Sequence, residues 1–429
     1  NTTGANNTSV GAGALVANTT GASNTAVGSL ALDANTTANN NTALGYSSLS
    51  SVTTGSPNTA VGAYSLSLNT GVRNTAVGYY ALYANTSGVN NSAFGDSALA
   101  SNTTANNNSA FGYNGLAANT TGSQNTAVGV YVLDANTTGY NNTSMGYNSL
   151  STNITGIDNT AVGKSALNEN TASNNTAVGS DAMEKNTTGG NNTSVGKNAL
   201  KANTTGDYNV AVGAYALDAN TDGGTNIAVG YAALGANTSG IRNNAYGHGA
   251  LGSNTTGGRN VAVGYAALNA STTVSYNTAV GNEALTVNTS GTQNTAVGNL
   301  ALDANTTGSQ NNAFGDNALG ANTTGSYNVA VGEQSLYNSN GSDNTGCGHR
   351  TLQANTTGTG NVAVGANALD ANTTAGSCVA IGKNALSANT TASRNVAVGT
   401  GCQQLTTDGT DNTAVGDAAL GSNTTGYHN

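Results

Sequence analysis

A glycine recurs at nearly constant spacing along the whole chain: Gly11, Gly28, Gly45, Gly62, Gly78, Gly95, Gly112 and onward to Gly399 and Gly416. There are 25 of these glycines, 17 residues apart in 21 of the 24 intervals and 16 apart in the other three. The unit they punctuate is Asn-Thr-Ala-Val-Gly-x-x-Ala-Leu-x-Ala-Asn-Thr-Thr-Gly-x-x, whose slots we number 1 to 17 from the first Asn. A chain with one short fixed period buries its apolar positions against copies of itself, as solenoids and repeat arrays do. The period predicts a single continuous array over residues 1–429, a length too great for one conventional globule.

The three short intervals locate the turn. In each, the missing residue lies in the Asn-Thr-Thr-Gly stretch: Asn69-Thr70-Gly71, Asn170-Thr171-Ala172 and Asn340-Gly341. Turns absorb a deletion, whereas one slipped residue in a paired strand turns every side chain to the opposite face. Slots 12 to 17 are therefore the turn, and slots 1 to 11 hold the paired structure.

Slot 4 is apolar in all 25 units and takes every Phe of the chain, Phe94, Phe111 and Phe314. Slot 9 is Leu in 23 units, with Met183 and Gln403 as the exceptions. These two columns are the expected core. Slot 2 is mostly β-branched, as a strand prefers, and slots 3 and 8 are almost always Ala, Ser or Gly. Recurrent Gly and Asn-Thr-Thr leave no apolar run long enough for a helix.

The expected fold is all-β, a parallel β-solenoid (β-roll) of about 25 coils of 17 residues without helices. Each coil has a strand at slots 1 to 5, a bend at Gly, a second strand at about slots 7 to 11, and the Asn-Thr-Thr-Gly turn. Stacking at about 4.8 Å gives a rod roughly 120 Å long. Asn fills slot 1 in 24 of 25 units, Cys378 being the exception. Two structural roles for it stay open: a left-handed turn residue bonded to backbone, or an amide laddered onto the same Asn one coil away.

Asn-Thr-Ala-Val-Gly followed by x-x-Ala-Leu resembles the head and stalk repeats of trimeric autotransporter adhesins, and related repeats of bacteriophage tail fibres and tailspikes. The unit here is longer by the Asn-Thr-Thr-Gly turn. The resemblance implies three parallel chains packed side by side, an extracellular, cell-surface or virion location, and a role in attachment. The residues give a separate reason to expect side-by-side packing. With slot 4 inside, the period of two turns the Ala of slot 3 outward, and a small apolar stripe of that length asks for a cover. Self-association as a homotrimer or filament is the expected partnership, with a cell-surface glycan or protein receptor as a further partner.

Composition narrows the function. Charged residues are 7% of the chain, with 10 Lys and Arg against 19 Asp and Glu and a formal net charge of −9. That leaves no basic footprint for nucleic acid, and no run of eighteen apolar residues spans a membrane. His248, His349 and His428 fall in different coils, so no zinc site or catalytic dyad forms from His within one chain. Cys347, Cys378 and Cys402 each replace a repeat residue, and an odd count gives no disulfide framework. Asp33, Asp134, Asp218, Asp303 and Asp370 share slot 10 without occupying neighbouring coils, which reads as a solvated face. Asn-x-Thr sequons recur simply because the repeat does. The expectation is a non-enzymatic chain with no cofactor, metal or catalytic site.

Tyrosine is the one surface signal. Tyr46, Tyr64 and the pair Tyr79-Tyr80 occupy three successive coils with Tyr83 nearby, and Tyr113, Tyr131 and Tyr147 form a second run. Such ladders stack on sugar rings or grip a partner, or simply stack coil on coil. Arg242 and Arg259 also meet in adjacent coils, as do Asp316 and Glu333, and both pairs read as solvated turn residues.

The leading functional expectation is a structural rod of a surface adhesin, appendage or phage tail fibre. An ice-binding solenoid competes, because slot 2 is Thr in 14 of 25 units, although placement on the core side would hide it. A glycan-binding or glycan-cleaving tailspike is the third class. Asn1 begins at slot 12 and Asn429 stops at slot 1, with no polar capping unit, so the array is expected to be a slice of a longer protein.

Overall fold

Slots 2 to 4 carry the β-branched and apolar residues of each coil, and they are the part that pairs. The computed structural model describes residues 2–429, with 25 short parallel strands and no helix among the described residues. Neighbouring strands pair slot for slot: Thr25 with Thr42, Ala26 with Ala43, Val27 with Leu44. This register survives the 16-residue coils, since Thr160 still pairs with Thr176. The chain divides into two compact units, Asn1–Ala211 and Val212–Asn429. The first holds β1 (Thr8–Val10) to β12 (Thr193–Val195), and the second holds β14 (Ile227–Val229) to β25 (Thr413–Val415). Between them in sequence is β13 (Val210–Val212).

The strand faces the opposite way from the expectation. Ala26, Ala110, Ala262 and Ala330 of slot 3 are completely buried, whereas Phe111, Met145 and Phe314 of slot 4 keep 41–48% of their surface. The Ala column is thus interior, and slots 2 and 4 form the outward face. Interior width decides this, because slot 3 meets slot 8 directly across the coil. A Cβ at Gly115 in slot 8 would sit 3.5 Å from that of Ala110. Thr351 enlarges slot 8, and slot 3 of its coil is correspondingly Gly346, whose added Cβ would lie 2.8 Å from the Thr351 hydroxyl. Where both slots are Ser, the hydroxyls of Ser144 and Ser149 hydrogen-bond at 2.6 Å. Only very small side chains fit, since packed interiors leave no spare volume.

Slot 9 is core as expected, but slots 7 to 11 are not a strand. Leu32, Leu66 and Leu133 have φ of 50–51°, in the left-handed region. Slot 7 shares this conformation at Leu30 and Tyr64, and slot 17 at Ser23 and Asn40. A left-handed residue breaks the extended run, so this wall is a chain of turns. It is still tied coil to coil: Leu32 N–H donates to Ser48 O at 3.0 Å, and Leu302 N–H to Ala318 O at 3.0 Å. The conformation costs a non-glycine residue about 1–2 kcal/mol, and full burial of Leu returns about 1.5–3 kcal/mol. Gly is needed at slot 5. Gly28 has φ of 135°, and a Cβ there would lie 2.5 Å from Gly45 O in the next coil.

Two buried Asn columns satisfy the backbone. In slot 1, Asn41 N–H donates to Asn24 Oδ1 at 2.9 Å, and the Asn24 amide donates to Ala38 O at 2.8 Å across its own coil. Slot 1 therefore chiefly bonds backbone, and it does so without a left-handed φ. Amide-on-amide bonds occur in slot 1 in some coils, as from Asn260 to Asn243 Oδ1 at 3.1 Å. The regular ladder lies in slot 12: Asn119 donates to Asn102 Oδ1 at 2.9 Å, and Asn136 to Asn119 Oδ1 at 2.8 Å. Interrupting it leaves a mark. Asn35, Asn254 and Asn389 each have a buried Oδ1 without a partner, and the next slot-12 residues are Val52, Ser271 and Thr406. Asn153, orphaned likewise, is followed by Asn170 in a coil shortened to 16 residues. Cys378 in slot 1 mimics the Asn it replaces: its backbone N–H donates to Asn361 Oδ1 at 3.0 Å and its thiol donates to Ala392 O at 3.3 Å.

Candidate functional surfaces

The outward sheet face follows from the strand's orientation. Slot 4 is apolar in every coil, so each unit presents a column of half-exposed Val, Leu, Phe, Met, Tyr, Ile and Cys. Phe94 and Phe111 stack in it, with ring centroids 4.8 Å apart and planes 4° from parallel. Cys347 is its one thiol and is exposed. Beside it runs slot 2, also outward, which carries Thr or Ser through the first unit from Thr8 to Thr193. The expectation that slot 2 hides on the core side is overturned. Contiguous apolar patches of this kind on soluble proteins mark contact surfaces.

The tyrosines gather on the other side of the Gly bend. Tyr64 is the hub of the first group, with ring centroids 5.2 Å from Tyr46, 5.1 Å from Tyr80 and 6.4 Å from Tyr83. Tyr79 packs edge-on against Tyr80 at 4.4 Å. In the second group Tyr131 lies 5.3 Å from Tyr113 and 6.5 Å from Tyr147. These are mostly edge-to-face contacts between coils, the geometry aromatic rings prefer. Tyr113 beside it, and then burial, raise the Tyr131 phenol above its ordinary pKa. All eight candidate tyrosines fall into these two groups, both in the first unit.

A third aromatic group, beyond the two Tyr runs of the sequence, lies in the second unit. His248 lies between Tyr231 and Tyr265, at 5.1 Å and 15° from one ring and 5.4 Å and 21° from the other. Tyr215 meets Tyr231 edge-on at 5.8 Å. The slot-6 run Tyr231, His248, Tyr265 is visible as a column once the repeats are aligned, but His interrupts a search for Tyr alone.

The slot-10 aspartates are not a freely solvated face. Asp134, Asp218, Asp303 and Asp370 are half-buried, and desolvation raises each carboxyl above its ordinary pKa while backbone N–H donors partly offset it. Asp33, Asp134 and Asp370 each keep a buried oxygen without a hydrogen bond. Arg259 packs over the Tyr276 ring at 5.2 Å and donates to its hydroxyl. Asp316 accepts from Asn299 at 2.9 Å, and Glu333 lies 4.0 Å from His349. Arg394 makes a two-point pair with Asp411, at 2.6 and 2.8 Å, which lowers the Asp411 carboxyl to about 2. Among the described residues no three His, Cys, Asp or Glu converge in a geometry for a metal ion, and no helix is long and apolar enough to cross a membrane.

No protein-family model matches this sequence, and no curated protein is significantly similar to it.

Proposed function

We propose that the chain is a non-catalytic structural segment of an extracellular fibre, of the surface-adhesin, appendage or phage tail-fibre kind, whose outward sheet faces pack on identical chains. The observation that carries this is the slot-4 column. It is apolar in every coil, it is half-exposed, and the in-register pairing aligns it along each unit. A second copy of the chain offers the same column at the same spacing, so identical coils meet coil for coil and the contact grows with each repeat. Attachment is then the work of side chains on the remaining faces, and a cell or virion surface is the setting. Sedimentation and small-angle scattering on the purified chain test the reading. A homotrimer or longer assembly with an elongated profile is expected, and a stable monomer at high concentration sinks it. Lys at Val128 and Val162, or at Val263 and Val280, is expected to shift the assembly towards monomer.

Ice binding is the second reading, and the orientation of slot 2 favours it. In the first unit the outward face pairs a Thr or Ser column with an apolar one at strand spacing, about 4.8 Å, a regular array for ordering water. Thermal hysteresis measures it directly. Freezing behaviour equal to that of an inert protein control removes this reading, and activity abolished by Thr126→Val, Thr143→Val and Thr160→Val together supports it.

A further inference from the structure

Within the second unit two neighbouring coils lack side chains where other coils carry them. Slot 10 reads Asp218, Gly235, Gly252, Asn269 in four successive coils, and slot 7 reads Tyr215, Ala232, Gly249, Ala266. The result is an open trough of about 540 Å³, within the range of ligand sites. Its floor is Ala and Gly. Tyr215 and Asp218 stand at one end, Asn269 at the other, and His248 along the side. Asp218 and Asn269 are rooted three coils apart, about 14 Å at strand spacing, and their side chains reach inward, the Asp218 carboxylate towards Gly235 and the Asn269 amide over Gly249 and Gly252.

The glycines are what keep the polar groups in place. A Cβ at Gly252 would lie 2.8 Å from the Asn269 amide nitrogen, and one at Gly249 3.2 Å from it. A Cβ at Gly235 would lie 3.4 Å from Asp218 Oδ1. The Asn269 amide is fixed by donating to Gly249 O at 2.7 Å, and His248 is clamped between Tyr231 and Tyr265. Preset polar groups reduce the ordering cost of binding. The lining offers a carboxylate acceptor, an amide, an imidazole, the Ser253 hydroxyl and one phenol ring, and it contains no Lys or Arg. Hydrogen-bonding groups spread along a narrow apolar floor suit a hydroxyl-rich ligand, and the lone carboxylate disfavours an anionic one.

We propose that the trough bounded by Tyr215, Asp218, His248 and Asn269 is a binding site for a short uncharged oligosaccharide. Tyr215 supplies ring contact, Asp218 accepts sugar hydroxyls, and Asn269 and His248 hydrogen-bond at the far end and side. The site stands independently of the sheet-face reading, because slots 7 and 10 lie off that face and a monomer would keep it.

The test is an array of uncharged and acidic oligosaccharides probed with the full chain, followed by calorimetry on the best-bound glycan. Uncharged glycans are expected to bind, with Kd raised at least tenfold by Tyr215→Ala and by Gly235→Gln, and left unchanged by Tyr64→Ala. Gln already occupies slot 10 at Gln353 and Gln404, and circular dichroism confirms that each variant folds. Because the chain has three histidines, labelled imidazole resonances give a second readout: that of His248 should move on titration while that of His349 stays. Binding restricted to acidic glycans, binding that survives both trough variants, or no binding to any uncharged glycan overturns the proposal.

Discussion

Along the outward face of the first unit, slot 2 is Thr ten times and Ser twice between Thr8 and Thr193. From Ile227 to Thr413 in the second unit the same slot is Val five times, Thr four times, Asn twice and Ile once. The interior does not follow this divergence. Slot 3 is Ala, Ser or Gly in both units, and slot 9 is Leu apart from Met183 and Gln403. A position whose neighbours are its own copies one coil up and down cannot change volume without disturbing both. An outward position has solvent or a partner on one side and is free to be specialised. The first unit's face mixes hydroxyls with apolar side chains, and the second's is more nearly apolar. If chains pack laterally, the second unit should hold the stronger contact.

The largest effect tests the common interior. Ala127→Leu and Ala296→Leu overpack slot 3 in the two units, and each should cost at least about 1–3 kcal/mol, seen as a lowered thermal midpoint. Val128→Ala and Val297→Ala, one residue on, should cost much less. A strong loss in only one unit would break the claim that both share one interior.

Next comes the slot-12 ladder. Asn119→Ala and Asn305→Ala each strip a buried amide from between two others, and about 1–3 kcal/mol should be lost in either unit. Smaller and opposite in sign is repair of existing faults. Val52→Asn supplies a donor to the orphaned Asn35 carbonyl. Gln403→Leu removes a buried carbonyl oxygen that has no partner, though it also gives up the amide's 2.9 Å bond to Val396 O. Each should gain on the order of 1 kcal/mol in chemical unfolding. No change at Val52→Asn would mean that water already serves Asn35.

The slightest effect is on pH. Asp134 in the first unit and Asp303 in the second have carboxyl pKa values raised on folding by burial. The folded chain therefore holds these protons to higher pH than the unfolded one. Stability should fall as pH rises from the ordinary Asp range through the raised value, and then level off. Asp134→Asn and Asp303→Asn should flatten that slope. Asp411 runs the other way: its carboxyl is lowered to about 2 by Arg394, so its contribution is present above the ordinary Asp value and is lost as pH falls towards 2. Unfolding curves collected across this range separate the two signs.

Much of this was legible in the repeat itself. The period gave coil length, parallel in-register stacking and the place of the turn, because the 16-residue units shorten only there. The facing of the strand was not legible by hydropathy. Alternation says that slots 2 and 4 oppose slot 3, but not which side is inside, and Val outranks Ala on any apolar scale. The discriminating signal is variance in size. Slot 4 ranges from Cys347 to Phe314 and Tyr246, while slot 3 never exceeds Ala or Ser. Likewise slot 9 holds Leu, Met or Gln and never Val or Ile, as a left-handed φ requires. The trough stayed hidden because Gly occurs singly at slot 10 elsewhere, as at Gly320. It takes the folded chain to set Gly235 and Gly252 between the Asp218 carboxylate and the Asn269 amide.

The coil-to-coil hydrogen bonds also decide how such a stack responds to force. Each coil is joined to the next by one chain crossing and a ring of bonds such as Leu32 N–H to Ser48 O. Tension applied to the chain loads only the outermost coil, which peels while those behind it remain intact. Every release frees 17 residues, about 56–61 Å of extended chain, in place of about 4.8 Å of stack. A pulled unit would therefore lengthen in near-equal steps of about 50 Å at similar force, dissipating work coil by coil and leaving an intact template on which each lost coil can re-form.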